Sequence, residues 1–478
     1  MSTTYRQLSS TGSKIIHFLS RCSSASHLHQ IEAQFILRSL HADTKIAYHY
    51  INAAERLSVL HPSLPLFLIH LPKPHVFTYN TLVKAFSHSK DPGLPLSLYT
   101  HMLQCSLLPN NYTFPFLLKS LSDFRRFKQG QCVHSHLVKW GHLGDIYVLN
   151  SLLNLYASCG SMDMCRKVFD KMSDRDVVSW TVLIKGYGKS GKFDDALIAF
   201  EMMPYDGVVP NHVTMVNALA ACAGSGAIEM GIRIHDFITA SGWELDVILG
   251  TSLVDMYLKC GRIEEGTSVF RNMKERNLFT WNVLIKGLGL AKCGQEAIWW
   301  FNNMEQEGLG IDEITLVNVL TACSHSGFVD VGKQIFNSLL HGKYGFPPGL
   351  KHYACVVDLL ARAGCLYEAL EYIREMPFEP TKSMWGSLLN ACKDHGNLEL
   401  TKFIAEKLVE LEPENSAYYV VLANAYAEMG RWNDAAEIRN IMKEKGLKKE
   451  LGSSLVESNA GAQVVCSADG GYWGCSYG

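Results

Sequence analysis

Between Val177 and Asn211 two apolar stripes at helical spacing flank a glycine, and this arrangement recurs along most of the chain at intervals of 31 to 37 residues. Trp180, Leu183, Ile184 and Tyr187 fall at i, i+3, i+4 and i+7, and Phe193, Ala196, Leu197, Phe200 and Met203 form the second stripe. Each predicts a helix and not the alternation of a strand. Gly191 lies between them, where a tight helix-helix turn needs a permissive backbone. Glycine holds the same slot at Gly160, Gly226, Gly261, Gly327, Gly364, Gly396 and Gly430. Phe169, Phe200, Phe270 and Phe301 follow that slot by nine residues, and Met172, Met203, Met273, Met304 and Met376 by twelve. One such hairpin is too small to bury both its apolar faces, so neighbours must stack, and the fold class read from the repeat is an all-α solenoid.

Composition narrows the partners. With 44 basic and 46 acidic side chains, the chain has no global positive field, so any hold on a polyanion has to be local. The fourteen cysteines sit in structural slots. Cys22, Cys222, Cys323 and Cys392 share one position on the buried stripe of a first helix, and Cys159 and Cys260 directly precede turn glycines. They read as reduced packing thiols and not as a disulfide framework or metal ligands. No apolar run reaches the eighteen or so residues of a membrane span, so the chain reads as soluble, without a membrane partner.

In chain order, residues 1–11 form a short targeting-like segment. Met1 to Ile31 contains no Asp or Glu, is rich in serine and carries Arg6, Lys14 and Arg21, as a transit peptide would. A frayed polar terminus is the plainer alternative. Residues 12–75 read as degenerate repeats, with Leu57 to Pro74 a degenerate second helix and loop. From Val76 the repeats run in a cycle of 35, 35 and 31 residues that restarts at Val177 and again at Leu278. The short copies lose residues after the second helix, where SDRD follows Met172 but PYDGVVPN follows Met203. GYGKSGK, Gly186 to Lys192, nearly matches a phosphate loop. Phe193 replaces the required hydroxyl, and the run aligns with hairpin turns elsewhere, so it is read as a turn.

The phrases TYNTLVKAF at Thr78, SWTVLIKGY at Ser179, TWNVLIKGL at Thr280 and HYACVVDLLARAG at His352, with the three-length cycle, resemble plant organellar pentatricopeptide-repeat proteins. The resemblance is to the class that alternates standard, long and short motifs, and it implies a right-handed solenoid. On this reading the array spans 76–381, and residues 382–449 resemble the two tetratricopeptide-like extension motifs that follow the array in RNA-editing members. The tail 450–478 departs from the family: LGSSLVES stands where a sequence like PGCSWIEV is usual, and the tail is expected to be disordered or a diverged remnant. Editing members often end in a zinc deaminase, whose chemistry needs H-x-E and C-x-x-C. Neither pattern occurs in this chain, so no catalytic residue, metal site or cofactor is assigned.

The resemblance also implies which residues meet RNA. In the family the fifth residue of the motif and its last residue together read one base. Here the pairs are Asn80 with Asn110, Asn150 with Asp176, Thr181 with Asn211, Thr251 with Asn277, and Asn282 with Asp312. All ten are short polar side chains able to address a Watson-Crick edge. Capping explains the last residues but fits the fifth poorly, because Asn and Thr are mediocre inside a first turn. The second residue of each motif, Phe77, Tyr147, Val178, Ile248 and Phe279, would wedge between bases. Lys84, Lys185 and Lys286 share the ninth position, as phosphate contacts or as a solvated face. The family's code then gives the hypothesis 5′-Y-N-U-A-N-A-U-N-N-3′. The function implied is recognition of single-stranded organellar RNA, specifying cytidine-to-uridine editing with a DYW-type deaminase and other editing factors as partners. The location implied is the mitochondrion or, alternatively, the chloroplast. Transcript stabilisation or splicing, and a peptide-binding helical scaffold, are the competing readings.

Overall fold

All eight turn glycines adopt a left-handed backbone, with φ between 68° and 80°. A side chain in that conformation crowds its own carbonyl, and glycine removes the conflict. Among the described residues two repeats of the array lack the glycine. In the same slot Arg125 and Lys292 are driven to φ of 51° and 60°, so the turn geometry is set by the stacked helices and the residue conforms. Lys292→Gly is therefore expected to stabilise the chain by about 0.5 kcal/mol, from about 1 kcal/mol of relieved crowding less about 0.5 kcal/mol of added freedom in the unfolded chain. Gly261→Ala is expected to cost about 1 kcal/mol. Urea midpoints measure both, and equal shifts of one sign would contradict the account.

The computed structural model describes residues 10–37, 44–57, 75–88, 91, 93–447, 453–458, 461–468 and 471–474. Most of the targeting-like segment 1–11 and most of Leu57 to Pro74 lie outside the described residues. The rest divides into two compact units, Met1–Glu244 and Leu245–Gly478. The described helices of each form a series of hairpins. In the first unit the helices Thr44–Arg56, Val76–Phe86, Phe114–Asp123, Ile146–Ser158, Val177–Lys189 and His212–Ser225 pack one against the next. In the second, Val247–Lys259, Leu278–Leu290, Glu313–Ser326, Leu350–Arg362 and Lys382–Asp394 do the same, and Ser416–Glu428 opens the last hairpin. None of the described helices is long and apolar enough to cross a membrane.

These helices begin where the repeat count places them, with one exception. The motif counted from Asn111 starts its helix at Phe114, because Pro115 has no N–H to bond back and residues 111–113 form a turn instead. Between hairpins the recurring aromatics interlock: Phe169 meets Trp180 edge-on at 4.7 Å and Phe270 meets Trp281 at 4.9 Å. Met172, Met203, Met273, Met304 and Met376 are all buried, as are Cys22, Cys222, Cys323 and Cys392. Burial pushes the Cys323 thiol up to about 12 and Cys392 up to about 11, which suits inert packing groups. Gly186 lies within a helix and Gly191 in the following turn, so GYGKSGK joins two helices and is not a phosphate loop.

The tail corrects the sequence reading. Instead of irregular chain it forms a three-stranded antiparallel meander, β1 Ser453–Ser458, β2 Gly461–Ala468 and β3 Gly471–Gly474, in the order β1-β2-β3. Ser458 pairs with Gly461 and Ala468 with Gly471. In sequence the tail contains Asp-Gly at 469–470, a strong two-residue hairpin signal, and Val456, Val464 and Val465 favour strands. The high glycine and serine content had hidden that local pattern. Among the described residues the fold is all-α as far as Leu447, with this small sheet appended.

Candidate nucleic-acid interface

Positions two, five and nine of each first helix lie on one face, since they are spaced at i, i+3 and i+7. The second residue is exposed in every motif from Val76 to Glu313, in the first helix of each except that of Asn111, where Tyr112 lies in the preceding turn. Phe77, Tyr147, Val178, Ile248 and Phe279 range from 47% to 74% exposed, and Tyr112, Val213 and Ile314 of the long motifs continue the row. Sequence reasoning had left those three out. Large apolar side chains pointing into water at a fixed period offer a surface to a partner. The row then stops: Lys351, Ser383 and Ala417 take the slot in the last three hairpins.

The structure brings together all five predicted pairs. Asn80 Nδ2 donates to Asn110 Oδ1 at 2.9 Å, Asn150 Nδ2 to Asp176 Oδ1 at 3.1 Å, and Asn282 Nδ2 to Asp312 Oδ1 at 3.2 Å. The threonines are too short to reach, and a second hydroxyl bridges the gap. Thr181 Oγ1 is 2.7 Å from Thr214 Oγ1, which lies 3.0 Å from Asn211 Oδ1. Likewise Thr251 Oγ1 is 2.8 Å from Thr280 Oγ1, itself 3.0 Å from Asn277 Oδ1.

In four of the five pairs the fifth residue is the more deeply buried, whereas Asn80 and Asn110 are both half-buried. Asn150, Thr251 and Asn282 are buried, while Asn211 and Asn277 are exposed and Asp176 and Asp312 half-buried. In those four the fifth residue thus forms a floor and the last residue a reading edge, where the sequence had given both the same role. The last residues also cap the next helix, as the alternative reading held. Asn211 Oδ1 accepts the Thr214 N–H at 3.0 Å, and Asn277 Oδ1 the Thr280 N–H at 2.9 Å. Capping by itself is general, since Asp145 and Asp246 of the long motifs cap in the same way.

Those caps fix what each reading edge can offer. In Asn110, Asn211 and Asn277 the amide oxygen is turned inward, so the Nδ2 group, with two N–H donors, is the part left for a ligand. Asp176 and Asp312 can only accept. Burial pushes each carboxyl up, but hydrogen bonds outweigh it, from the Ser179 N–H and hydroxyl and Asn150 to Asp176, and from the Thr315 hydroxyl and N–H and Asn282 to Asp312. Both are held below the usual carboxylate range. Asparagine edges therefore suit bases with an acceptor at the centre of the Watson-Crick edge, adenine and cytosine. Aspartate edges suit those with an N–H there, uracil and guanine.

In the long motifs the fifth residue is Pro115, Val216 or Val317, so none offers a polar pair. Lys84, Lys185 and Lys286 are exposed, but Asp255 and Asp358 hold the ninth slot in two other motifs and break any basic stripe. Asp255 pairs with Lys259 at 2.8 Å, and Asp358 accepts the hydroxyls of Ser324 and Ser387 at 2.6 Å, which ties three successive hairpins together.

Residues 77–107, 147–177, 251–278, 279–309 and 352–379 match the PPR repeat, 175–224 the PPR repeat family and 395–457 the E motif. Two pentatricopeptide repeat-containing proteins of Arabidopsis thaliana are 35% and 37% identical to this chain. The alignments cover 90% and 92% of it and 88% and 76% of those proteins. A third, named as chloroplastic/mitochondrial, is 36% identical over 93% of this chain and 72% of its own. Among solved structures, the pentatricopeptide repeat protein PPR10 in complex with an 18-nt psaJ RNA element superposes with a TM-score of 0.68 at 17% identity. That match covers 88% of this chain and 64%, just under two thirds, of the solved one.

Proposed function

The chain belongs to the pentatricopeptide repeat family, and from that premise we propose that it binds single-stranded RNA in a plant organelle and reads its sequence. The observation that carries this is the juxtaposition of five polar pairs beneath a periodic row of exposed apolar side chains. Stacking on the row holds bases without regard to identity, and the pairs select among them.

Donor and acceptor polarity supplies the reading. Asn150 with Asp176, and Asn282 with Asp312, take uracil; Thr181 with Asn211, and Thr251 with Asn277, take adenine. Asn110 offers donors, which narrows the first pyrimidine to cytosine. The choice of a pyrimidine over the long Asn residues, and of a purine over the shorter threonines, comes from the family resemblance. The preferred RNA is 5′-C-N-U-A-N-A-U-N-N-3′, with the Ala354 motif and the long motifs unselective.

The E motif match, and the absence of stacking residues at Lys351, Ser383 and Ala417, support a division of labour. The array finds the site, and the hairpins 382–449 recruit a DYW-type deaminase and other editing factors in trans. The chain contributes address and not chemistry, since it carries neither H-x-E nor C-x-x-C. Mitochondrion is the preferred location, with chloroplast the alternative. Organelle transcripts sequenced from a plant lacking the protein are expected to lose cytidine-to-uridine conversion at one or a few sites, each a few nucleotides 3′ of the preferred sequence. Unchanged editing, with altered transcript ends or introns, would favour stabilisation or splicing instead.

A further inference from the structure

Buried Ser or Thr hydroxyls stand beside the reading pairs, and their distribution follows one rule. Where the fifth residue of a motif is polar, the third residue of the next motif carries a hydroxyl: Asn80 is followed by Thr113, Asn150 by Ser179, Thr181 by Thr214, Thr251 by Thr280 and Asn282 by Thr315. Where the fifth residue is Pro115, Val216, Val317 or Ala354, the third residue of the next motif is Val148, Leu249, His352 or Met384. Helix capping does not explain this, because Asp145 and Asp246 cap helices whose third residues are Val148 and Leu249.

We propose that the third-position hydroxyl is a positioning residue for the reading pair of the preceding motif, and that it sets that pair's base preference without touching RNA itself. The inference rests on the base-reading function proposed above. Thr280 Oγ1 joins Thr251 to Asn277, and Thr214 Oγ1 joins Thr181 to Asn211. Ser179 Oγ lies 2.7 Å from Asn150 Oδ1 and 2.9 Å from Asp176 Oδ1, and Thr113 Oγ1 is 2.6 Å from Asn80 Oδ1. Each of these hydroxyls is fully buried, so it acts only through the pair.

Without it, Asn277 keeps one anchor, the Thr280 N–H, and its amide plane is free to turn about that single bond. The donors are then no longer aimed at the groove. Thr251 Oγ1 meanwhile loses its neighbour in the floor. One further hydroxyl marks the boundary of the rule: Thr78 Oγ1 is buried without a hydrogen-bond partner, and the matching fifth residue of the hairpin before it is Tyr48, whose ring packs at 5.1 Å on Phe77.

The test compares wild type with Thr214→Val/Thr280→Val and Thr214→Ser/Thr280→Ser. The readout is the ratio of the Kd for the RNA with both adenines changed to guanine to the Kd for the preferred RNA. Valine keeps the shape and removes the hydrogen bonds, and is expected to lower the ratio about fivefold per position, close to 25-fold together. Serine is expected to keep it. Ser179→Ala, a milder change should the valines fail to fold, is expected to lower the preference for uracil over cytosine at its position about fivefold. A valine variant and Ser179→Ala that lose affinity equally for all RNAs, at unchanged ratio, would overturn this inference alone. A wild-type ratio of one overturns base reading itself, and this inference with it.

Discussion

Asp176→Asn/Asp312→Asn is expected to exchange uracil for cytosine at both positions. The carboxylates are held ionised and can only accept, so they favour the N3–H of uracil; an asparagine capped by the same N–H groups would turn donors outward, toward the N3 lone pair of cytosine. One mismatched donor or acceptor costs about 1–2 kcal/mol, roughly tenfold in Kd per position. Preference for the uracil RNA over its cytosine counterpart should therefore invert by about 100-fold in each direction. The change should leave the fold intact, because asparagine caps the equivalent helices at Asn211 and Asn277. Filter binding with the two RNAs measures it, and retained uracil preference in the variant would show that the last residues do not read.

The second large effect is expected without any change in preference. Phe77→Ala/Tyr147→Ala/Phe279→Ala removes three exposed rings, of which Phe77 packs on Tyr48. Base stacking is worth about 1–3 kcal/mol per base, so the triple variant should bind every RNA on the order of 100-fold or more weakly. Exposed positions of this kind change stability by about 0.5 kcal/mol or less each, so the thermal midpoint should barely move. The ratio between adenine and guanine RNAs should stay at its wild-type value. A selective loss of one RNA would mean that these rings read bases, and unchanged affinity would mean that RNA does not lie on this face.

Much of this architecture was legible because the chain repeats itself. A glycine, a phenylalanine and a methionine at fixed offsets define a hairpin in one copy and its register in the next, and the left-handed φ at Gly160 and Gly261 follows from that pattern. The pairing of Asn150 with Asp176 was legible only through the resemblance, since 26 residues separate them in sequence. The bridge from Thr251 to Asn277 was not legible in that way. It needs Thr280, a residue of the following motif, and a pairwise view of one motif cannot contain it. Nor did composition reveal the strands near the end, where Asp469-Gly470 and three valines outweigh a glycine-rich background. The division of four of the pairs into a more buried floor and a more exposed edge depends on how deeply the first turn is sunk between neighbours, which repeat counting does not measure.

The most direct test of the central claim is a mobility shift of wild type and Thr181→Asn/Thr251→Asn on 5′-CNUANAUNN-3′ and on the same RNA with both adenines changed to guanine. In wild type Thr181 and Thr251 reach Asn211 and Asn277 only through Thr214 and Thr280, and asparagine in their place recreates the Asn80 arrangement with its direct bond. The account predicts that wild type binds the adenine RNA at least tenfold more tightly than the guanine RNA, and that the variant loses this preference and gains one for cytosine at the two positions. Equal binding of both RNAs by wild type, or no binding of either, would contradict base reading by these pairs and leave a protein-binding scaffold as the better account of the same surface.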